Sequence, residues 1–147
     1  MRLFLDCEYN GFGGELISMA IVAEDGREWY EVVMCEKPGD WVAEHVMPIL
    51  GKRALPDKAM LTSSLFMFLR QFDSIHVMAD WPEDVAHFCV ALITDAGLRI
   101  DTPPLTMEVL RIEAFSELPH NALADARGMR EAVLAGWHDA EKRTNRA

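Results

Sequence analysis

The chain has 147 residues, 50% of them hydrophobic and 26% charged, and 24 acidic against 14 basic residues give a formal net charge of −10. That length suits one domain, and the apolar fraction excludes a disordered chain. The acidic balance excludes attachment to nucleic acid through a broad basic surface, because that mode needs clustered Lys and Arg to displace the counterions of the phosphates.

The front of the chain predicts three antiparallel strands. Short apolar runs cover residues 3–9, 16–23 and 28–34, and turn-forming residues at 10–14 and 24–26 separate them. Such spacing is typical of strands joined by tight turns. We therefore predict an antiparallel meander whose first two strands are buried on both faces.

From residue 40 the pattern becomes helical. A first helix, capped by Asp40, is predicted to turn four residues toward a core, namely Trp41, Val42, Val46 and Ile49. A second helix is predicted over residues 63–72, followed by a strand over 74–78.

A third helix and a fifth strand follow. Proline is favoured in a first helical turn, so the helix starts near Pro82, runs to about Ala96 and ends at Gly97. Residues 105–109 predict a brief strand.

The last helix begins near His120 and has one apolar face, made of Ala122, Ala126, Met129, Val133 and Trp137. The charged tail from about residue 141 is predicted to fray. Three antiparallel strands, then helices alternating with two more strands, predict an α/β fold with a mixed five-stranded sheet, three strands antiparallel and two parallel, flanked by helices. We predict one domain spanning residues 1–147.

Carboxylates sit at the ends of these apolar elements. Asp6 and Glu8 are two apart on the first strand and point to the same side, with Cys7 opposite. Two like charges on a buried strand are costly unless a cation lies between them, although a solvated strand end would also explain them. Asp125 lies at the edge of the apolar face of the last helix, as a metal ligand or as the partner of a basic side chain, and His120 precedes it.

The middle helix offers a third acidic position with two candidates. Asp84 falls in its first turn, at the margin of an apolar face. Asp80 is a candidate N-cap with Glu83 as its capping-box partner, which gives it a structural role. Asp84 is therefore the preferred candidate for chemistry, and Asp80 is the alternative.

Three segments of the chain together resemble the DEDDh, or DnaQ-like, 3′-5′ exonuclease superfamily. They are Asp-Cys-Glu at 6–8 after an apolar strand, an Asp at the start of the middle helix, and the run HNALADA at 120–126. The last run matches the family pattern of His, four residues, Asp and Ala. The resemblance covers essentially the whole chain and is closest to a small bacterial 3′-5′ exoribonuclease subfamily.

The resemblance implies a ribonuclease H-like fold and a site for two divalent cations, Mg²⁺ or Mn²⁺. The metal ligands it implies are Asp6, Glu8, Asp84 and Asp125, with Asp80 as the alternate for Asp84. His120 would take a proton from the water that attacks the last phosphorus. The implied reaction removes nucleoside 5′-monophosphates from the 3′ end of single-stranded RNA, or of DNA, and many members of the superfamily pair as homodimers.

Three aromatic residues near these motifs are candidates for stacking on substrate bases. They are Tyr9 and Phe12, after the first motif, and Trp81, before Asp84. Packing in the core or in a turn would also explain each of them.

Three widely spaced cysteines, with no CxxC pair, predict neither a zinc site nor a disulfide framework. They suit a reducing compartment, and no apolar run reaches the length of a signal peptide or a membrane span, so we expect a cytoplasmic protein with no membrane partner. Two alternatives to an exoribonuclease stay open, an exodeoxyribonuclease of the same fold and a nonenzymatic domain that binds a nucleotide or a protein.

Overall fold

A computed structural model describes residues 1–136 of the chain. The strands in chain order are β1 (Arg2–Tyr9), β2 (Leu16–Ala23), β3 (Glu28–Val32), β4 (Ile75–Ala79), β5 (Ile93–Asp95), β6 (Leu98–Arg99) and β7 (Leu105–Val109). The helices are α1 (Asp40–His45), α2 (Lys58–Leu69), α3 (Pro82–Ala91) and α4 (Ala122–Leu134), with a short 3-10 helix at Met47–Ile49. None of these helices is long and apolar enough to cross a membrane.

Five strands form one mixed sheet in the order β3-β2-β1-β4-β7. The first three are antiparallel neighbours, and β4 and β7 run parallel to β1. This confirms the predicted fold class, and the architecture is consistent with a ribonuclease H-like fold. Because β1 and β4 are parallel, their carboxyl ends meet at one edge of the sheet.

Helices cover both faces of this sheet. Alternate side chains of β1 point to opposite faces, so Leu3 and Leu5 pack against α2 and α3, while Phe4 packs against α4. Every residue of β2 after Leu16 is buried, as predicted. The packing therefore leaves the carboxyl end of β1 between α3 and α4.

The predicted second helix is displaced from the observed one. α2 begins at Lys58 because Asp57 caps it, its side chain accepting the backbone N–H of Met60 at 2.9 Å. The prediction over residues 63–72 missed this cap and ran past Leu69, where the helix ends.

The predicted end of the third helix at Gly97 is wrong. α3 ends at Ala91, and β5 and β6 pair as a separate antiparallel hairpin. Gly97, with a φ of 74°, lies in the turn of that hairpin. A glycine with positive φ is favoured both after a helix end and in a tight turn. The sequence therefore indicated correctly that the chain turns at Gly97, but it did not show that the turn joins two strands.

The last helix agrees with the prediction along its apolar face. Ala122, Ala126, Met129 and Val133 are all buried. The predictions for Trp137 and for the tail from 141 lie outside the described residues.

Candidate active site

The end of β1 presents two carboxylates to the face of the sheet that α4 covers. Asp6 and Glu8 share the face of Phe4, as the alternation of side chains along a strand requires. Cys7 points to the opposite face, where its thiol lies 3.8 Å from the backbone carbonyl oxygen of Asp84. The two acids therefore stand together at the carboxyl end of a central strand.

A capped helix start brings Asp125 to the same place. The side-chain oxygen of Asn121 accepts the backbone N–H of Ala124 at 3.1 Å, and its amide nitrogen donates to the carbonyl oxygen of Ile49 at 2.9 Å. These bonds fix the first turn of α4, which carries Asp125. The Asp125 carboxylate in turn accepts the backbone N–H of His120 at 3.1 Å.

The first turn of α3 carries Asp84, which is almost fully buried. The predicted capping box of Asp80 and Glu83 is wrong, because Trp81 occupies the N-cap position and no side chain within residues 1–136 caps this helix. Glu83 instead accepts the backbone N–H of Gly13 at 2.6 Å. Asp80 thus has no capping role and remains available to the site.

Asp6 belongs to two groups of three carboxylates. One oxygen from each of Asp6, Glu8 and Asp125 lies within 4.8 Å of the others, and the same limit holds for Asp6, Asp80 and Asp84. The structure therefore brings together all four predicted ligands and the alternate as well. Two groups that share one carboxylate are the arrangement expected of a site for two divalent ions at a phosphodiester.

Burial and mutual repulsion oppose ionisation of these acids. Burial, followed by the charge of Asp84, raises the pKa of Asp6 well above its usual value. Burial raises the pKa of Glu8 to about 8, with Asp125 adding to the effect. The pKa of Asp84 also rises to about 8, through burial and then through Asp80. The site therefore favours any positive charge that can compensate for these carboxylates.

The described residues supply no such charge from a side chain in direct contact. None of the ion pairs within residues 1–136 includes any of the five carboxylates. One oxygen of Asp6 is buried without a hydrogen-bond partner there, which is costly for a carboxylate. An all-oxygen ligand set favours Mg²⁺ or Mn²⁺ over zinc, so the residues present fit the predicted cations.

His120 lies at the mouth of this site beside an aromatic residue that the sequence analysis assigned to the core. The ring of Trp41 meets the His120 ring edge to face, with centroids 5.0 Å apart, and stacks on His45 at 4.7 Å. Trp41 is 52% exposed, so its prediction as a core-facing residue is wrong. Val42 is the buried residue of that helix and packs into the core in place of Trp41. The contact of Trp41 with His120 depends on the tertiary fold, so the local sequence could not predict it.

The three predicted stacking residues form a row beside α3. Tyr9 and Phe12 have ring centroids 6.5 Å apart, and Phe12 and Trp81 are 6.2 Å apart. Phe12 is 85% exposed, so packing in the core does not account for it. The sequence analysis missed two further members of this row. His87 stacks on Tyr9 at 5.1 Å, and the guanidinium of Arg111 lies 4.5 Å from the centre of the Trp81 ring.

A signal for His87 was present in the sequence. It lies four residues after Glu83 on the same helical face, and the two side chains approach to 3.9 Å. No comparable signal existed for Arg111, because only the fold places it beside Trp81.

A cleft of about 340 Å³ opens onto three of these carboxylates. Its lining includes Asp6, Asp80, His120 and Asp125, and one wall comes from the loop around Ser116. The cleft gives a substrate direct access to the carboxylates and to the histidine at once.

Comparison with known proteins finds two relatives. They are 3′-5′ exoribonucleases of Mycobacterium tuberculosis, one in strain CDC 1551 and one in strain H37Rv. Each is 34% identical to this chain, and the aligned region covers 86% of this chain and 88% of the relative. No protein-family model matches the chain.

Proposed function

The chain belongs to the 3′-5′ exoribonuclease family of these relatives, and on that premise we propose that it is a metal-dependent 3′-5′ exoribonuclease of the DEDDh type. It would shorten single-stranded RNA from the 3′ end and release nucleoside 5′-monophosphates. One observation carries the proposal, namely the two groups of carboxylates that share Asp6.

The carboxylates would hold two divalent cations, Mg²⁺ or Mn²⁺. Glu8 and Asp125 would complete one site with Asp6, and Asp84 with Asp80 would complete the other. When bound, such ions polarise a phosphodiester and stabilise the charge that develops on its oxygens. The raised pKa of Asp6 and its unpartnered oxygen support this role, because both reflect a negative charge that the protein itself leaves uncompensated.

His120 would act as the general base. Its imidazole takes a proton from the water that attacks the last phosphorus, and the bond from phosphorus to the 3′ oxygen of the preceding nucleotide breaks. That oxygen takes up a proton from solvent as it leaves, so the shortened strand keeps a free 3′ hydroxyl. Asp125 orients the backbone of His120, and Trp41 restricts the rotation of its ring.

The aromatic row supports a single-stranded substrate. Exposed rings such as Phe12 and Trp81 offer faces on which unpaired bases stack, and each stacked base contributes about 1–3 kcal/mol without a strong sequence preference. A base inside a duplex has no free face for this contact.

The test is a degradation assay on matched RNA and DNA strands labelled at the 5′ end. With Mn²⁺ or Mg²⁺, we expect the RNA strand to give a ladder of products that differ in length by one nucleotide. The released product should be nucleoside 5′-monophosphate. EDTA should stop the reaction, and Asp6→Asn should lower the rate by at least ~10²-fold because the shared ligand loses its charge.

Asp73→Asn is the matched control, since Asp73 is an exposed carboxylate in the loop before β4, at the other edge of the sheet. It should trim RNA at the rate of the unmodified protein. Trimming that persists in EDTA, or an unimpaired Asp6→Asn variant, would contradict the proposal. Efficient trimming of DNA alone would favour the exodeoxyribonuclease. RNA binding with no trimming would favour the nonenzymatic domain.

A further inference from the structure

Arg111 is held over Trp81 by the residues on either side of it. The backbone N–H of Leu110 donates to the carbonyl oxygen of Ala79 at 2.7 Å, which continues the pairing of β7 with β4. Ile112 is buried in the core beneath α4. With both neighbours anchored, the side chain of Arg111 projects to the surface, and its guanidinium lies 4.5 Å from the centre of the Trp81 ring.

The guanidinium has no charged or hydrogen-bonded partner within residues 1–136. Three other arginines of the described chain, Arg2, Arg27 and Arg127, each pair with a carboxylate, as Arg127 does with Glu28 at 2.7 Å. Arg111 takes part in none of the ion pairs there, although the carboxylate of Asp80 is near enough for its pKa to respond to the arginine charge. The contact with Trp81 places the central carbon of the guanidinium over the face of the ring. The N–H donors of the guanidinium, which lie in the plane of the group, are left without an acceptor from the described residues.

A planar fork of N–H donors is suited to a phosphate, which can accept two parallel hydrogen bonds from it. The position of Arg111 relative to the cleft indicates which phosphate of the RNA strand it would bind. Ile112 and Glu113 line the cleft that contains Asp6 and His120, but Arg111 does not. It stands beside the cleft, on the aromatic row, where the strand entering the site would pass.

We propose that Arg111 is a binding residue for a phosphate of the RNA strand other than the one being cleaved. The inference rests on the proposed function, and it assigns to one side chain the positive charge that an acidic protein needs in order to hold its substrate. Trp81 fixes the guanidinium in place and is itself a stacking surface, so base and phosphate recognition meet at one point.

The first experiment compares Arg111→Ala with a matched control on a single-stranded RNA decamer. Arg70→Ala is that control, because Arg70 also lies over an aromatic ring, 5.5 Å from the centre of Phe66, but follows α2 at the opposite edge of the sheet. We expect Arg111→Ala to raise KM about tenfold, the effect of losing one charge-assisted contact, with kcat within about twofold of the unmodified protein. Arg70→Ala should change neither constant.

Salt provides a readout that a purely structural role would not affect. One fewer phosphate contact on a single strand should flatten the slope of log KM against log salt by about 0.7. Arg111→Lys keeps the charge but loses the planar fork. It should therefore keep the salt slope of the unmodified protein, while its KM should lie between those of the unmodified protein and Arg111→Ala. Thermal unfolding of each variant checks that the fold is intact.

The phosphate itself is located with decamers that carry one uncharged methylphosphonate linkage upstream of the cleaved bond. At one position the modification should raise the KM of the unmodified protein about tenfold and leave the KM of Arg111→Ala unchanged, because each change removes the same contact. If every position affects both proteins equally, or if Arg111→Ala lowers kcat rather than raising KM, the proposal is wrong. An unmodified protein that does not trim RNA at all would refute the proposed function instead.

Discussion

His120 has a backbone conformation that is uncommon for a residue with a side chain. Its φ of 68° makes it the only residue other than glycine with positive φ within residues 1–136. That conformation reverses the chain before α4, so that the backbone N–H of His120 reaches Asp125. The turn thus couples the position of the candidate base to that of a candidate ligand.

We predict that His120→Asn separates the chemistry from the turn. Asparagine tolerates positive φ better than other residues with side chains, so the turn and the contact with Asp125 should persist. Loss of the imidazole should lower kcat for RNA by roughly 10²–10⁴-fold, with little change in KM. His120→Ala should lose as much activity and also unfold more easily, since alanine bears the full cost of about 1–2 kcal/mol in this conformation. Unimpaired kcat in His120→Asn would exclude the general-base role.

Elements bring the site together through contacts that no single segment specifies. The spacing of Asp6 from Glu8, and of His120 from Asp125, predicts carboxylates on known faces of β1 and α4 because strand and helix periodicity are local properties. The choice between Asp80 and Asp84 as a metal ligand could not be made from the local sequence pattern. It depended on whether Asp80 caps α3, and the N-cap at Trp81 removes that role while both acids meet Asp6.

Larger errors arose where tertiary contacts decided the outcome. The β5–β6 hairpin pairs residues that extend the helical pattern of α3, so the pattern alone could not end the helix at Ala91. Trp41 fits the apolar side of α1 by spacing, but its ring lies against His120 from another part of the chain. Five strands and their order along the chain were predictable, because each is a short apolar run bounded by turn residues.

At the level of elements, Gly128→Ala tests how tightly α4 packs against the loop that leads to His120. Alanine normally stabilises a helix interior by about 1 kcal/mol relative to glycine. Here a Cβ at Gly128 would lie 2.0 Å from the carbonyl oxygen of Phe115, a backbone atom that cannot rotate away. We therefore expect this variant to lower the free energy of unfolding and the rate of RNA trimming together. Glu131→Ala, at an exposed position of the same helix, should change stability by no more than about 0.5 kcal/mol. A stabilised and fully active Gly128→Ala would show that the loop is not held by this contact.

For the molecule as a whole, the formal charge of −10 overstates the charge of the metal-free protein near neutral pH. With a pKa of about 8, Glu8 and Asp84 remain partly protonated there. Two bound divalent cations would shift these acids to the ionised form and add four positive charges at the same place. Metal binding and proton release are therefore coupled in the proposed enzyme, and both bear on its stability.

This coupling predicts that the metal-free protein becomes less stable as pH rises. In the unfolded chain Glu8 and Asp84 have ordinary pKa values, whereas in the folded chain both pKa values are near 8, so the folded state binds more protons between about pH 4 and pH 8. The free energy of unfolding must then fall as pH rises through that range. In EDTA we expect a lower Tm at pH 8 than at pH 5.5.

The lowered pKa of His87, caused mainly by its burial, acts in the opposite direction below its usual value of 6.5, so the comparison needs a variant as its reference. Asp84→Asn removes one of the buried acids and should flatten the decline in Tm, while Glu36→Gln, at an exposed position, should leave it unchanged. Added Mg²⁺ or Mn²⁺ should raise the Tm of the unmodified protein more at pH 8 than at pH 5.5, because the cations bind the ionised carboxylates. A metal-free Tm that is the same or higher at pH 8, with no difference between the unmodified protein and Asp84→Asn, would show that the buried acids are not protonated in the folded chain.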